Sequence, residues 1–431
     1  MRPFKPILYF FIAGLTLLVA ADRLNAADND DGLLVVRAAK IYTGDGTVLD
    51  KGVLVIKDGK IIQAGSGAID APESARSISS KAGIVTPGLI DASSLAGLID
   101  KNSWTEHSSE IVPHLSVLDA VDLRSRDFER LLRQGVTTVF VTPGSGSVIG
   151  CRGCVLKTAG PIDERVVVEK GAVKATLGRD GYSRGAYNRR PYGSEVSFMT
   201  RRPTTRMGVT AVFQDALYSA SAGEKASDPA SAILADVLAG KIPFRVQARK
   251  DNDIISAIRL CNEFGIDFVL EEAIEAHRCI PELKARGVPV VFGPVYAYPV
   301  GYRARTGEAD RSCLNTVGLL QEAGLRVALT ASDQSGEGAL PHQATFAMRG
   351  GLSRAGAIDA TTAAPAEILG LGDRIGKLEA GFDADLVVWN GEPFAPTSHP
   401  IIVVVGGRPV YVYGVTQTEM NDLGKEEPGE K

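Results

Sequence analysis

Between residues 137 and 329 short apolar runs alternate with helix-like stretches, and no other feature constrains the fold so tightly. TTVFV (137–141) follows an amphipathic stretch over 117–134. PFRV (243–246) precedes a helical pattern over 254–263, which DFVL (267–270) follows. A second helical pattern over 275–286 leads to VPVVF (288–292), and a third over 314–323 leads to LRVAL (325–329). Strands separated by helices at this spacing are joined by crossovers and lie parallel. Their apolar residues run on without alternation, which predicts burial on both faces. The span 84–370 suits the ~250 residues of a (β/α)8 barrel plus an insertion. Such a barrel carries its chemistry at the C-terminal strand ends, here just after Ile90, Val141, Val246, Leu270, Phe292 and Leu329.

Both flanks of this region read as strands and turns. VLVIK (53–57), Asp58-Gly59 and KIIQ (60–63) form a hairpin signal, with another turn at Asp45-Gly46. At the far end ADLVVW (384–389), IIVVV (401–405) and VYVY (410–413) repeat the style. Each flank looks antiparallel, and neither is long enough to stand alone. Packed together, 33–83 and 371–415 make one composite β-sandwich. The predicted class is α/β, a (β/α)8 TIM-like barrel over 84–370 with that sandwich beside it.

Arg2 and Lys5 precede an apolar run over 7–21, with small-residue cleavage options at 19–21 and 24–26. The pattern is that of a signal peptide over 1–26, the run being short for a spanning helix; an uncleaved anchor is the alternative. The expected location is therefore periplasmic or secreted, with no membrane attachment after cleavage. A formal net charge of −4 gives no electrostatic footprint for nucleic acid. The tail 416–431 is charged, bears Gly and Pro, and reads as disordered.

Cys151 and Cys154 form a lone C-x-x-C, without the second pair that a four-thiolate zinc site needs. Buried thiols or a local disulfide account for it; Cys261 and Cys279 fall in helical patterns and read as core. The histidines, His107, His114, His277, His342 and His399, show no H-x-H or H-x-x-x-H spacing and read as surface or core residues. The segment 179–206 is rich in arginine and tyrosine. It reads as an anion-binding lid or partner surface, or as a solvated insertion in which 205–208 only starts the next helix.

VTPGLID (85–91), GVTTV (135–139) with PGS (143–145), TRMG (205–208), TTAAPAEILG (361–370) and DRIGKLEAGFDADLVVW (373–389) occur in that order. This series resembles the metal-dependent amidohydrolase superfamily, and within it the imidazolonepropionase-like amidohydrolases. The likeness covers nearly the whole chain after the expected signal peptide; the 373–389 segment is quite specific, the shorter motifs individually weak. The resemblance implies a hydrolase of C–N bonds other than peptide bonds, using zinc or another divalent metal. It also implies where the metal ligands would stand: an H-x-H after PGLID, single histidines ending two middle strands, and an aspartate ending the last. Ser93, Leu95, Gln247, Glu272 and Asp333 occupy those positions.

Four of these five depart from the family pattern. A hydrolytic zinc needs about three N, S or O ligands and an open position. Leu95 has no donor atom, Ser93 is a poor ligand, and Gln247 offers a neutral carbonyl oxygen. Gln247, Glu272 and Asp333 could hold a hard cation weakly, but without a zinc-like ion water keeps a pKa of ~15.7 rather than ~7. No cofactor is therefore expected. Asp333 is either a residual catalytic acid or a structural carboxylate paired with a neighbour such as Arg249; Gln247, Arg249 and Glu272 are candidate substrate contacts. The leading expectation is a non-catalytic, small-molecule-binding or partner-binding pseudoenzyme. Alternatives are an active C–N hydrolase using Glu272 and Asp333, and an exported structural scaffold. The resemblance allows a homo-oligomer, or a hetero-oligomer with an active amidohydrolase.

Overall fold

The computed structural model describes residues 32–67, 69, 75–98, 105–106, 109–182, 203–223, 227–295, 306–331 and 339–415. The expected leader (1–26), the tail (416–431) and Asp333 lie outside the described residues.

The N-terminal flank forms β1 (Leu33–Tyr42), β2 (Val48–Asp50), β3 (Gly52–Lys57), β4 (Lys60–Ser66) and β5 (Arg76–Pro87). The β3–β4 turn is as expected: Asp58 (φ 49°) and Gly59 (φ 77°) both adopt the left-handed region that a tight two-residue hairpin requires. One expectation is corrected. β1 and β5 pair in parallel, not antiparallel, because the β2–β4 excursion carries the chain back before β5 begins. Alternation identifies a strand but says nothing about its neighbour's direction.

Residues 83–90 are shared between two strands. β5 ends at Pro87, Gly88 breaks the run, and β6 (Leu89–Ser94) starts the barrel. A Cβ at Gly88 would lie 2.1 Å from Thr137 Oγ1, so this crossing tolerates only glycine. Asp91 and Ser93 thus sit within β6 rather than beyond a strand ending at Ile90.

The remaining barrel strands are β7 (Val136–Val141), β8 (Ile149–Arg152), β9 (Cys154–Lys157), β10 (Val166–Val168), β11 (Val173–Thr176), β12 (Phe244–Ala248), β13 (Phe268–Glu272), β14 (Val290–Phe292) and β15 (Val327–Leu329). β6 and β7 are parallel, and β11 to β15 run parallel in chain order. Between them the chain turns at Gly153, with β9 antiparallel to β7 and β8 antiparallel to β11. At the other edge Thr330 Oγ1 lies 2.6 Å from both Asp91 Oδ1 and the Ser93 carbonyl, joining the end of β15 to β6. The wall therefore closes with the β9–β8 corner filling one place. Cys151 and Cys154 flank that corner as free thiols, and Cys261 and Cys279 are buried.

Helices clothe the wall: α1 (Arg126–Arg133), α2 (Arg206–Ser221), α3 (Pro229–Leu238), α4 (Asp251–Glu263), α5 (Ile280–Arg286), α6 (Thr316–Glu322), α7 (Leu340–Arg349), α8 (Arg354–Thr361) and α9 (Ala363–Ile368). In α4, Ile254, Ala257, Ile258 and Cys261 recur at helical spacing and are buried. Two expected helices are interrupted. The 117–134 stretch divides into a 3-10 turn and α1, because Ser125 caps α1 by accepting the Asp127 N–H. The 275–286 stretch divides because Pro281 lies in the first turn of α5, where its missing N–H costs nothing.

The C-terminal flank supplies β16 (Leu386–Trp389), β17 (Pro400–Val405) and β18 (Arg408–Val412), giving one sheet ordered β18-β17-β16-β5-β1-β3-β4. β4 and its turn also meet the segment leading into β16: Ile61 N donates to Phe382 O at 2.9 Å and Ala384 N to Gly59 O at 2.8 Å. The curled sheet encloses its own apolar core, including Val36, Leu54, Ile56, Leu386 and Val388. The 373–389 segment clamps sheet to barrel. Asp383 pairs with Lys60 and Arg374, buried Lys157 from β9 pairs with Asp385, and Trp389 Nε1 donates to Thr86 Oγ1.

Candidate functional site

Alternation along β12 decides which groups face the interior. Phe244 and Val246 join the main apolar cluster, while Arg245 and Gln247 point the other way. Arg245 donates from Nη2 to Ala92 O at 2.7 Å and lies over the Phe140 ring at 4.2 Å. Its Nε is 2.5 Å from Glu271 Oε1, and Lys174 Nζ is 3.1 Å from Glu271 Oε2. These contacts are close ion pairs set off the hydrogen-bond direction. Burial opposes ionisation of Glu271, but Arg245 and Lys174 hold its carboxyl below the usual range.

A second cluster gathers at the strand ends. The β12–β13 register sets Ala248 opposite Glu272, which places Arg249 beside the Glu272 side chain. Arg249 Nε donates to Glu272 Oε2 at 2.5 Å. Its Nη2 donates to Asp180 Oδ2 at 2.5 Å and to Glu272 Oε1 at 3.1 Å. Burial disfavours the guanidinium charge, yet Asp180 and Glu272 together raise its pKa further above the ordinary value. Gln247 Nε2 donates to the same Asp180 Oδ2 at 3.1 Å, while Gln247 Oε1 is buried without a partner. Outside this group Arg206 binds Asp253 (3.0 Å) and Glu308 (2.5 Å), and Glu308 also lies 3.9 Å from Arg249. Burial raises the Glu308 pKa, with Arg206 opposing it.

The backbone here is strained. Glu272 (φ 64°) and Ala273 (φ 53°) both occupy the left-handed region, at a cost of about 1–3 kcal/mol each. The Ala273 N–H, held by Ala248 O and Glu271 O, keeps the turn in place. Non-glycine strain of this kind clusters at functional sites.

Gln247, Arg249 and Glu272 therefore come together. Ser93 lies apart with Asp91 and Thr330, and Leu95 is half-buried against the main apolar core. Asp91 was not among the candidates. It is buried, its carboxyl accepts from Ser93 N, and burial pushes it up to about 6 against the pull of Thr330, Ser93, Ala331 and Arg245. Asp180, Asp253 and Glu308 were missed too: Asp180 falls in the arginine-rich 179–206 stretch without being singled out there, and Asp253 and Glu308 enter from a helix and a loop that carry no site signal. Of the arginine-rich stretch, 183–202 lies outside the described residues. Arg206 does open α2, with Thr205 as its cap, but it also belongs to the charged cluster.

The described donors do not fit a hydrolytic zinc. Leu95 supplies none, and the Glu272 carboxylate is engaged by a guanidinium through both oxygens. Among the described residues no group of three or more His, Cys, Asp or Glu is placed to hold a metal. His114 and His342 are exposed, His277 Nδ1 meets Thr316 Oγ1 at 3.1 Å, and the His399 ring packs on Tyr413. His107 lies outside the described residues.

Comparison with known proteins agrees with this architecture. A family model described as the amidohydrolase family matches residues 272–411. Amidohydrolase tasK of Hapsidospora irregularis is 28% identical over 406 aligned residues, covering 85% of this chain but 40% of its own length. The chain thus spans about two fifths of that relative. The structure of an amidohydrolase from Thermotoga maritima MSB8 superposes with a TM-score of 0.79 at 28% identity, covering 88% of this chain and all of that one. A zinc-bound adenosine deaminase from Xanthomonas campestris, 16% identical over 90% of this chain and 96% of its own, shares the fold with a TM-score of 0.52. A closed α/β wall clamped to a sheet built from both chain ends, and matched along its length by such relatives, makes this chain similar in sequence and architecture to the amidohydrolases.

Proposed function

We propose that this chain has kept the superfamily's barrel without its hydrolytic metal centre, and that it acts by binding a small molecule or a partner protein at the strand ends. One observation carries the reading: Glu272, the acid left at a family ligand position among the described residues, is gripped by Arg249. With Leu95 and Gln247 at two histidine positions, nothing there would lower the pKa of water from ~15.7 towards ~7. A binding role needs only what the strand ends offer, a rigid wall, strained backbone and polar groups aimed inward. The leader-like residues 1–26 support an exported protein, and the formal charge of −4 does not favour nucleic acid. Assembly with itself or with an active relative fits the same reading.

The test is elemental analysis of the purified protein after growth with zinc, manganese and magnesium, followed by a thermal-shift screen of small molecules. The expected result is no tightly held transition metal and at least one ligand that raises Tm. About one tightly held metal per chain would overturn the proposal.

A further inference from the structure

We infer that the Arg249 guanidinium serves as the resident cation of the strand-end site, and that Asp180, Glu272 and Gln247 Oε1 form a divalent-cation site once it is removed. This inference rests on the functional reading above. Asp180 Oδ2 and Glu272 Oε1 both reach one atom, Arg249 Nη2, at 2.5 and 3.1 Å. Two carboxylates, one from the loop after β11 and one from the end of β13, therefore converge on one point of positive charge. Glu308 adds a third acid 3.9 Å from Nη1. Gln247, hydrogen-bonded to the same Asp180 oxygen, keeps its own Oε1 buried and unpartnered.

A planar guanidinium satisfies oxygens that lie along its N–H directions and leaves others unmet. A spherical cation has no such restriction. The donors are all oxygen, so the ion that fits is hard (manganese, magnesium or calcium) and not zinc. Asp180 stands at none of the family ligand positions inferred from the sequence. The site is thus built from this chain's own residues, with the arginine doing electrostatically what a metal would do.

Mn²⁺ is the probe, read by electron paramagnetic resonance, calorimetry and thermal unfolding. Wild-type protein is compared with Arg249→Ala, with Arg249→Gln, which keeps an N–H donor and more of the volume, and with the double variant Arg249→Ala/Glu272→Ala. Arg249→Ala is expected to bind about one Mn²⁺ at least about tenfold more tightly than wild type, with a matching rise in Tm; the double variant loses that gain. If the single variants are unfolded without metal, recovery of the native circular dichroism by Mn²⁺ supports the inference and failure to recover it overturns it. Folded Arg249→Ala with no gain over wild type also overturns it. Metal-free wild type with no gain in the variant sinks this inference alone, whereas wild type isolated with bound metal sinks the functional proposal.

Discussion

Glu271 and Glu272 are consecutive residues of one strand, yet they belong to different machines. Glu271 keeps the strand's alternation and meets Lys174 and Arg245 inside the barrel. Glu272 leaves it through a left-handed backbone and meets Arg249 and Asp180 at the strand ends. The interior triad replaces the branched apolar layers usual in such barrels, and its charges are locked among wall residues. The outer cluster draws on loops and a strained turn and retains an unsatisfied amide oxygen. The two clusters differ in backbone strain and in the loops they draw on, not in unmet groups, since both Glu271 oxygens and Arg245 Nε also lack a well-directed hydrogen bond.

Breaking the interior triad should have the largest effect. Glu271→Ala leaves Arg245 and Lys174 buried without a counter-charge, and we expect a loss of about 3–5 kcal/mol in denaturant unfolding. A loss under about 1 kcal/mol would show that water reaches the triad and that the contrast with Glu272 is false.

Asp91 sharpens the comparison, because it is a buried acid held by hydrogen bonds to Ser93, Thr330 and Ala331 rather than gripped directly by a cation. Its folded pKa, about 6, exceeds the ordinary 3.8. The folded state therefore binds more protons than the unfolded chain between those values. Stability from this group is present below the lower pKa and is lost as pH rises through the upper one. Unfolding free energy measured from pH 4 to 7 should fall by an amount on the order of 3 kcal/mol through this carboxyl, and Asp91→Asn should remove that slope. An unchanged slope would mean that Asp91 is solvated like a surface acid.

The smallest effect isolates the turn. Glu272→Ala and Glu272→Gly both delete the ion pair, but only glycine relieves the positive φ. The glycine variant should be more stable than the alanine variant by about 1 kcal/mol by chemical denaturation. Equal stabilities would remove strain from the description of the site.

Much of this was legible before any coordinates. Alternating apolar and helical patterns gave the α/β barrel, the Asp58-Gly59 turn gave the hairpin of the N-terminal flank, and the ordered motifs gave the likeness to amidohydrolases. Gln247, Arg249 and Glu272 sit next to strand ends that the pattern already located. Asp180 and Glu308 were not legible, because nothing in a loop's composition says which strand end it will cover. The parallel partner of β1 and the break at Gly88 were hidden for a related reason: pairing direction and close crossing are relations between distant segments.

The sequence by itself determined which residues are apolar in which period, and where along the chain the strand ends fall. Only the tertiary structure decided where the remaining charges go, bringing Asp180 and Glu272 onto Arg249 from positions 69 and 23 residues away. Hydrophobic periodicity is a local property of the chain. The neutralisation of a buried charge depends on whichever groups the closed wall brings within a few ångströms, and no local pattern encodes that meeting.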